Sequence, residues 1–221
     1  MKTVFMVSII LSTGFLSAQE NEENARRMLV NLFAGVSLPQ GDFGSTSSQK
    51  ASFAQTGFSA MLEGSKPLDK SLNWTSSLSL SVNSVNETEM QNQVQRVFGS
   101  GVTVTAGSFI TTWAMTGLKA ESPTSSTGSV YAVGQIGILF SSFPDITLSG
   151  SGNSVTQTTT SSPAFAYGIG AGFQTEKINV GLRYFAGEPE YEESASGGGS
   201  SSSLKVKMPV AVLQFILGIN L

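Results

Sequence analysis

The chain has 221 residues, with 12 basic and 15 acidic side chains for a net charge of −3, and contains neither histidine nor cysteine. Those absences exclude Ser–His and Cys–His nucleophiles, histidine- or thiolate-based zinc sites and a disulfide framework. No basic patch suits nucleic acid, and the charged fraction of 12% is about half that of an ordinary soluble domain.

Met1-Lys2-Thr3 carries one positive charge, an apolar run spans Val4 to Leu16, and Leu16-Ser17-Ala18 follows. A basic start, a short apolar core and a small exit residue predict a secretory signal peptide over residues 1–18. The run is shorter than the roughly 20 residues a spanning helix needs. Residues 19–27 are polar and charged and read as a periplasmic lead-in. Residues 28–221 form the remaining domain.

From Met28 onward the chain alternates. The first predicted strand, Met28–Leu38, sets Val30, Leu32, Ala34 and Val36 against Asn31, Phe33, Gly35 and Ser37. Pro39-Gln40-Gly41-Asp42 ends it, because proline lacks a donor and glycine permits the turn. A Ser/Gly-rich loop leads to the second strand, Thr56–Glu63, with Phe58, Ala60 and Leu62 on its apolar face. After a short connection at 65–69, Leu72–Val82 sets Trp74, Leu78, Leu80 and Val82 against Asn73, Thr75, Ser77, Ser79 and Ser81. A long polar loop is expected to Ala106, with Val102–Thr105 as an extension of the fourth strand, Ser108–Leu118. That strand sets Phe109, Trp113 and Met115 against Ile110, Ala114 and Leu118.

Glu121–Gly128 is the next connection. The fifth strand, Ser129–Phe140, points Val130, Ala132, Ile136, Ile138 and Phe140 outward. A polar loop covers Ser141–Ser162. In the sixth strand, Pro163–Phe173, Phe165, Tyr167, Ile169, Ala171 and Phe173 share one face, while Ala164, Ala166, Gly168, Gly170 and Gly172 share the other. A short turn at 174–177 precedes Ile178–Phe185. Gly187–Ser203 is read as the last loop, acidic first and then Gly/Ser-rich. Met208–Leu221 closes the pattern, with Leu213, Phe215, Leu217, Ile219 and Leu221 together.

Bulky faces without charge, opposed by small or polar faces, suit lipid outside and a narrow lumen inside. Connections alternate long and short, as in up-and-down membrane barrels, and the strands match the roughly 9–11 residues that cross hydrocarbon. The predicted fold class is therefore all-β: an eight-stranded antiparallel up-and-down transmembrane β-barrel.

The segments Ala34–Gly44, Tyr167–Phe173, Asn179–Tyr184 and the closing strand carry a further likeness. With them the chain resembles the bacterial outer-membrane β-barrel domain family, in the small eight-stranded form of Bacteroidota-type bacteria. The resemblance implies an outer-membrane location, contact with outer-membrane lipid and insertion by the barrel-assembly machinery.

Glu63 and Arg183 fall on the lumen face and are predicted to form an interior ion pair, with Gln135, Gln174 and Gln214 as nearby polar partners. A charge in a narrow lumen must be paired or hydrated. Glu188, Glu190, Glu192 and Glu193, with Tyr191, form an acidic outer loop that is read as solvated, because it lacks calcium-loop spacing. Gly168–Gly172 lies within a strand and so is no phosphate loop. Trp74 and Tyr184 are candidates for interfacial girdles. No catalytic residue, cofactor or metal site is expected. The predicted role is structural or surface-interacting, through the outer loops and with a surface or envelope protein as partner. The alternatives are a narrow channel for ions or small solutes, and a secreted soluble barrel that carries a ligand in its lumen.

Overall fold

The computed structural model describes residues 28–48, 50–124, 128–150, 153–197 and 200–221. The predicted signal peptide and lead-in, residues 1–27, lie outside them.

The elements in chain order are β1 (Leu29–Pro39), a 3-10 turn (Gly41–Phe43), β2 (Ala54–Pro67), β3 (Leu72–Val85), α1 (Glu87–Phe98), β4 (Val102–Ala106), β5 (Ser108–Pro123), β6 (Gly128–Ser142), β7 (Ile146–Gly150), β8 (Asn153–Ser161), β9 (Ala164–Thr175), β10 (Ile178–Gly187), β11 (Glu190–Gly197), β12 (Ser200–Lys207) and β13 (Val210–Asn220). Eight of the strands close into an antiparallel barrel in the order β1-β13-β10-β9-β6-β5-β3-β2. First and last strands meet at the seam, from Asn31 opposite Asn220 to Pro39 opposite Val212. Closure leaves the barrel no free sheet edge.

Alternation fixes which side faces out. Leu32, Phe58, Leu78, Ile110, Ile136, Phe165, Ile169, Val180, Phe215 and Leu217 are exposed, while Asn31, Phe33, Ser79, Trp113, Arg183 and Gln214 are buried. This assigns the fourth predicted strand: Phe109, Trp113 and Met115 point inward.

The long connections are more ordered than the sequence pattern suggests. The expected loop after β3 holds α1, because Asn86 accepts a hydrogen bond from the Glu89 amide at its N-terminus and Gly99, at φ +89°, ends it. Val102–Thr105 does lie directly before β5, but as β4 it pairs with β7 and not with a barrel strand. The predicted loops at 141–162 and 187–203 contain β7, β8, β11 and β12. Their composition, rich in serine and threonine, reads as loop in the sequence.

These five strands form a second sheet in the order β12-β11-β8-β7-β4. That order repeats the barrel order β13-β10-β9-β6-β5, the strands with which they are continuous in the chain. The second sheet thus carries the wall beyond the barrel rim over five strands. Over β1, β2 and β3 the connections are instead α1 and the segment around the 3-10 turn.

One edge of this wall is covered. Along β4, the Ala106 amide donates to Glu87 Oε1 at 2.7 Å and the Val104 amide donates to Gln91 Oε1 at 2.6 Å, while Gln91 Nε2 donates to the Val102 carbonyl. Glu87 and Gln91 are four residues apart and so share one helix face. They take the place of a neighbouring strand and blunt an edge that would otherwise recruit one.

Candidate functional site: a filled lumen beneath an extended wall

The half of the lumen nearest the short turns is polar. Arg183 on β10 donates to Glu63 on β2 at 2.9 Å, and both are fully buried. Lys119 on β5 lies 3.6 Å from Glu63 and 3.1 Å from Glu121. Glu121 also accepts from Asn73 at 2.8 Å and from Gln174 at 2.9 Å. Two cations and two carboxylates make a neutral set, the condition under which buried charge is tolerable. Tyr131 sits among them. Its hydroxyl donates to Asn179 Oδ1 at 2.8 Å and accepts from Arg183 at 3.3 Å, and its ring lies 5.0 Å from the guanidinium and 5.2 Å from the Lys119 ammonium.

The structure thus brings Glu63 and Arg183 together, but it does not place Gln135 or Gln214 on the pair. Gln135 exchanges hydrogen bonds with Ser77, and Gln214 donates to Ser79 and Ser81. Both read the serine row of β3, because they stand higher in the barrel than the charges. Gln174 does join the ionic set through Lys119 and Glu121. Sequence reasoning misses Lys119 and Glu121 because it ends the fourth strand at Leu118. Alternation carried one residue further points Lys119 inward, and three residues further reaches Glu121.

The glycines of the lumen face have a specific use. Tyr131 is in register with Gly172, which is in register with Gly181. A Cβ at either glycine would stand 2.4 Å from the tyrosine hydroxyl. In the same way Arg183 lies over Gly170, Phe185 over Gly168 and Phe33 over Gly218. Each of these four side chains lies along the wall across a glycine of a neighbouring strand. The slim face is room for a neighbour's bulk, so the lumen is filled and not merely narrow.

The other half of the lumen is apolar along β6, β9, β10 and β13, while Ser37, Ser81, Asn83 and Thr111 are buried on β1, β3 and β5. Trp113 and Phe185 stack at 5.5 Å, and Leu139, Val210, Val212 and Ala166 are buried with them. At the mouth an edge-to-face series runs from Phe43 to Phe109 (5.0 Å), Phe143 (4.9 Å) and Tyr191 (5.5 Å). Such pairs favour this geometry because ring edges are positive and ring faces negative. Phe43, Phe143 and Tyr191 all lie in segments that read as polar loop in the sequence. The signal for them is one large aromatic within a few residues of a strand end.

The acidic loop is not a cluster. Glu188 lies 3.9 Å from Lys50, Glu190 lies 3.3 Å from Lys205, and Glu192 is exposed. Glu193 pairs by its backbone with Leu204. Glu190 and Glu192 share one face of β11, and Tyr191, on the other, donates to Ser141 Oγ at 2.8 Å. Burial pushes the Tyr191 phenol up to about 12, against a smaller lowering by that hydrogen bond. Among the described residues no group of three or more acidic side chains is placed to hold a metal ion.

No family model matches the chain and no curated protein does. Among solved structures, it is similar to a major outer membrane protein from Thermus thermophilus, at TM-score 0.53 and 10% identity over 88% of this chain and 98% of that one. This is the fold of a small outer-membrane β-barrel. Neisserial surface protein A matches at TM-score 0.45 and 10% identity, over 88% of this chain and 96% of that one. Ail, the attachment invasion locus protein of Yersinia pestis, matches at TM-score 0.43 and 12% identity, over 88% and 97%. At such identities the likeness is one of fold.

Proposed function

We propose that the chain is an integral outer-membrane barrel of a Gram-negative envelope, of the small Bacteroidota-type form. In this reading residues 1–18 export it, the barrel-assembly machinery inserts it, and it acts through its outer wall on a surface or envelope protein. The outward apolar band supports the membrane setting, since a soluble carrier barrel needs the reverse: charge outside and an apolar cavity within. The observation that carries the role is the filled lumen. The neutral ionic set blocks one half and the Trp113–Phe185 layer under the aromatic series blocks the other. With the lumen side chains buried among the described residues, the chemistry on offer is that of the wall built from β4, β7, β8, β11 and β12, where binding residues commonly sit on a rigid scaffold.

Cell fractionation with a heat-shift gel tests the location: the protein should partition with outer membranes and change apparent mass on boiling. Because the chain lacks cysteine, Lys205→Cys on β12 gives a single thiol, which a membrane-impermeant maleimide should label on intact cells. In planar bilayers the protein should give no steady conductance steps. Recovery in the soluble fraction without detergent overturns the membrane reading, and reproducible unitary steps overturn the role in favour of a channel.

A further inference from the structure

On the outer surface, at the top of the apolar band, the wall has a slot. Its floor is two alanines: Ala186 on β10, in register with Ala211 on β13. On one side Ala186 is in register with Tyr167 of β9. On the other, the Gln40 amide donates to the Ala211 carbonyl at 2.9 Å, which brings the end of β1 alongside. Two pairs below the floor the wall is bulky again, with Tyr184 opposite Leu213. At the head stand Asp42, on the 3-10 turn, and Glu188, just past the end of β10, both of which line the slot. This open recess has a volume of about 660 Å³ and is lined by both tyrosines, Asp42 and Glu188.

We propose that this slot seats one acyl chain of a membrane lipid with an ammonium headgroup. The inference rests on the membrane reading above. The slot is continuous with the outward apolar band through Phe165, which is 67% exposed, and Tyr167. A chain therefore reaches it sideways without leaving hydrocarbon. Its height is where a chain gives way to a headgroup, the level at which tyrosine, apolar at one end and wet at the other, is favoured. Both charged residues that line it are carboxylates, which attract an ammonium and disfavour a lipid whose phosphate leaves the headgroup net negative, as in phosphatidylglycerol. Glu188 already faces one amine, that of Lys50 at 3.9 Å, with both side chains about half exposed. That pairing is weak enough for a lipid amine to compete with it.

The test is native mass spectrometry of the full chain released from micelles that contain equal phosphatidylethanolamine and phosphatidylglycerol with identical acyl chains. The wild type should retain one ethanolamine lipid in up to about fivefold preference, the worth of one partly exposed charge pair. Ala186→Leu fills the slot from outside the barrel and should abolish the adduct. Ala211→Leu serves as the second filling variant, and a heat-shift gel confirms that each is folded. Asp42→Asn with Glu188→Gln should keep an adduct and lose the headgroup preference. Equal retention of the two lipids by the wild type, or an unchanged adduct in a folded slot-filling variant, overturns the proposal. Failure of the wild type to insert into vesicles would instead overturn the membrane reading itself.

Discussion

The hydroxyl of Tyr131 occupies the position where a side chain at residue 181 would begin: a Cβ on Gly181 would lie 2.4 Å from it, and the next atom met, the Ala171 carbonyl oxygen, is 3.2 Å away. The conflict is therefore almost entirely with one atom. Gly181→Ala should destabilise the barrel by about 1–3 kcal/mol, the usual cost of overpacking. Tyr131→Phe removes that atom and its bonds to Asn179 and Arg183. The double variant should then be no less stable than Tyr131→Phe alone. Urea unfolding in lipid vesicles, read as a double-mutant cycle, measures the coupling. Additive losses would show that the glycine is needed for another reason.

Glu63 is the shared counter-charge of Arg183 and Lys119. Glu63→Gln leaves a buried cation uncompensated and should cost about 3–5 kcal/mol. Adding Arg183→Gln restores neutrality and should recover part of the loss. The same unfolding assay checks the order: the double variant should lie above Glu63→Gln in midpoint.

Much of the barrel is legible because lipid-facing strands leave a period-two record in side-chain size. All eight barrel strands fall where that record places them, and Glu63 and Arg183 lie inward by the same rule. The record fails where neither face is apolar. In β8 both faces are rich in serine and threonine, so the alternation carries little contrast, and β7, where Ile146 and Leu148 alternate with Thr147 and Ser149, is only five residues long, so a wall of hydrogen-bonded strands reads as loop. It also fails at strand ends. Lys119 and Gln174 follow the alternation but stand beyond the ends it marks, since nothing in the local pattern shows where pairing stops. The glycine row of β9 reads as a slim lining, because no single strand reveals that Tyr131, Arg183 and Phe185 come from its neighbours to lie across it.

The helix-capped edge of β4 gives a local prediction. Glu87→Ala with Gln91→Ala removes the acceptors of the Ala106 and Val104 amides. At about 1 kcal/mol per hydrogen bond, exchange of those two amides with deuterium should accelerate roughly five- to tenfold, while amides in the barrel strands stay unchanged. Unaltered exchange would mean that α1 covers the edge without bonding to it.

Tyr191 gives the outer wall a dependence on alkaline pH. Its phenol is pushed up to about 12, whereas an unfolded tyrosine titrates near 10. The native state therefore holds its proton longer. The stabilisation is fully present below about pH 10 and is lost as pH rises towards 12, with a total of about 2–3 kcal/mol. Tyr191→Phe should lower stability at neutral pH by about 1 kcal/mol, because it leaves Ser141 without its partner, and should flatten this alkaline decline. Limited proteolysis of the wall between pH 9 and 11.5 compares the two proteins.

The Glu63–Arg183 pair has one more consequence, for assembly. Going round the barrel, β1 and β13 lie between β2 and β10, so the two side chains clasp across the junction of the chain's first and last strands. Until that junction zips, the carboxylate and the guanidinium belong to opposite margins of an open sheet, each still free to keep its own water. Cylinder formation and charge neutralisation are thus one event. A nascent barrel whose margins meet out of register would trap an unmatched ion in its interior, and that penalty proofreads the closure.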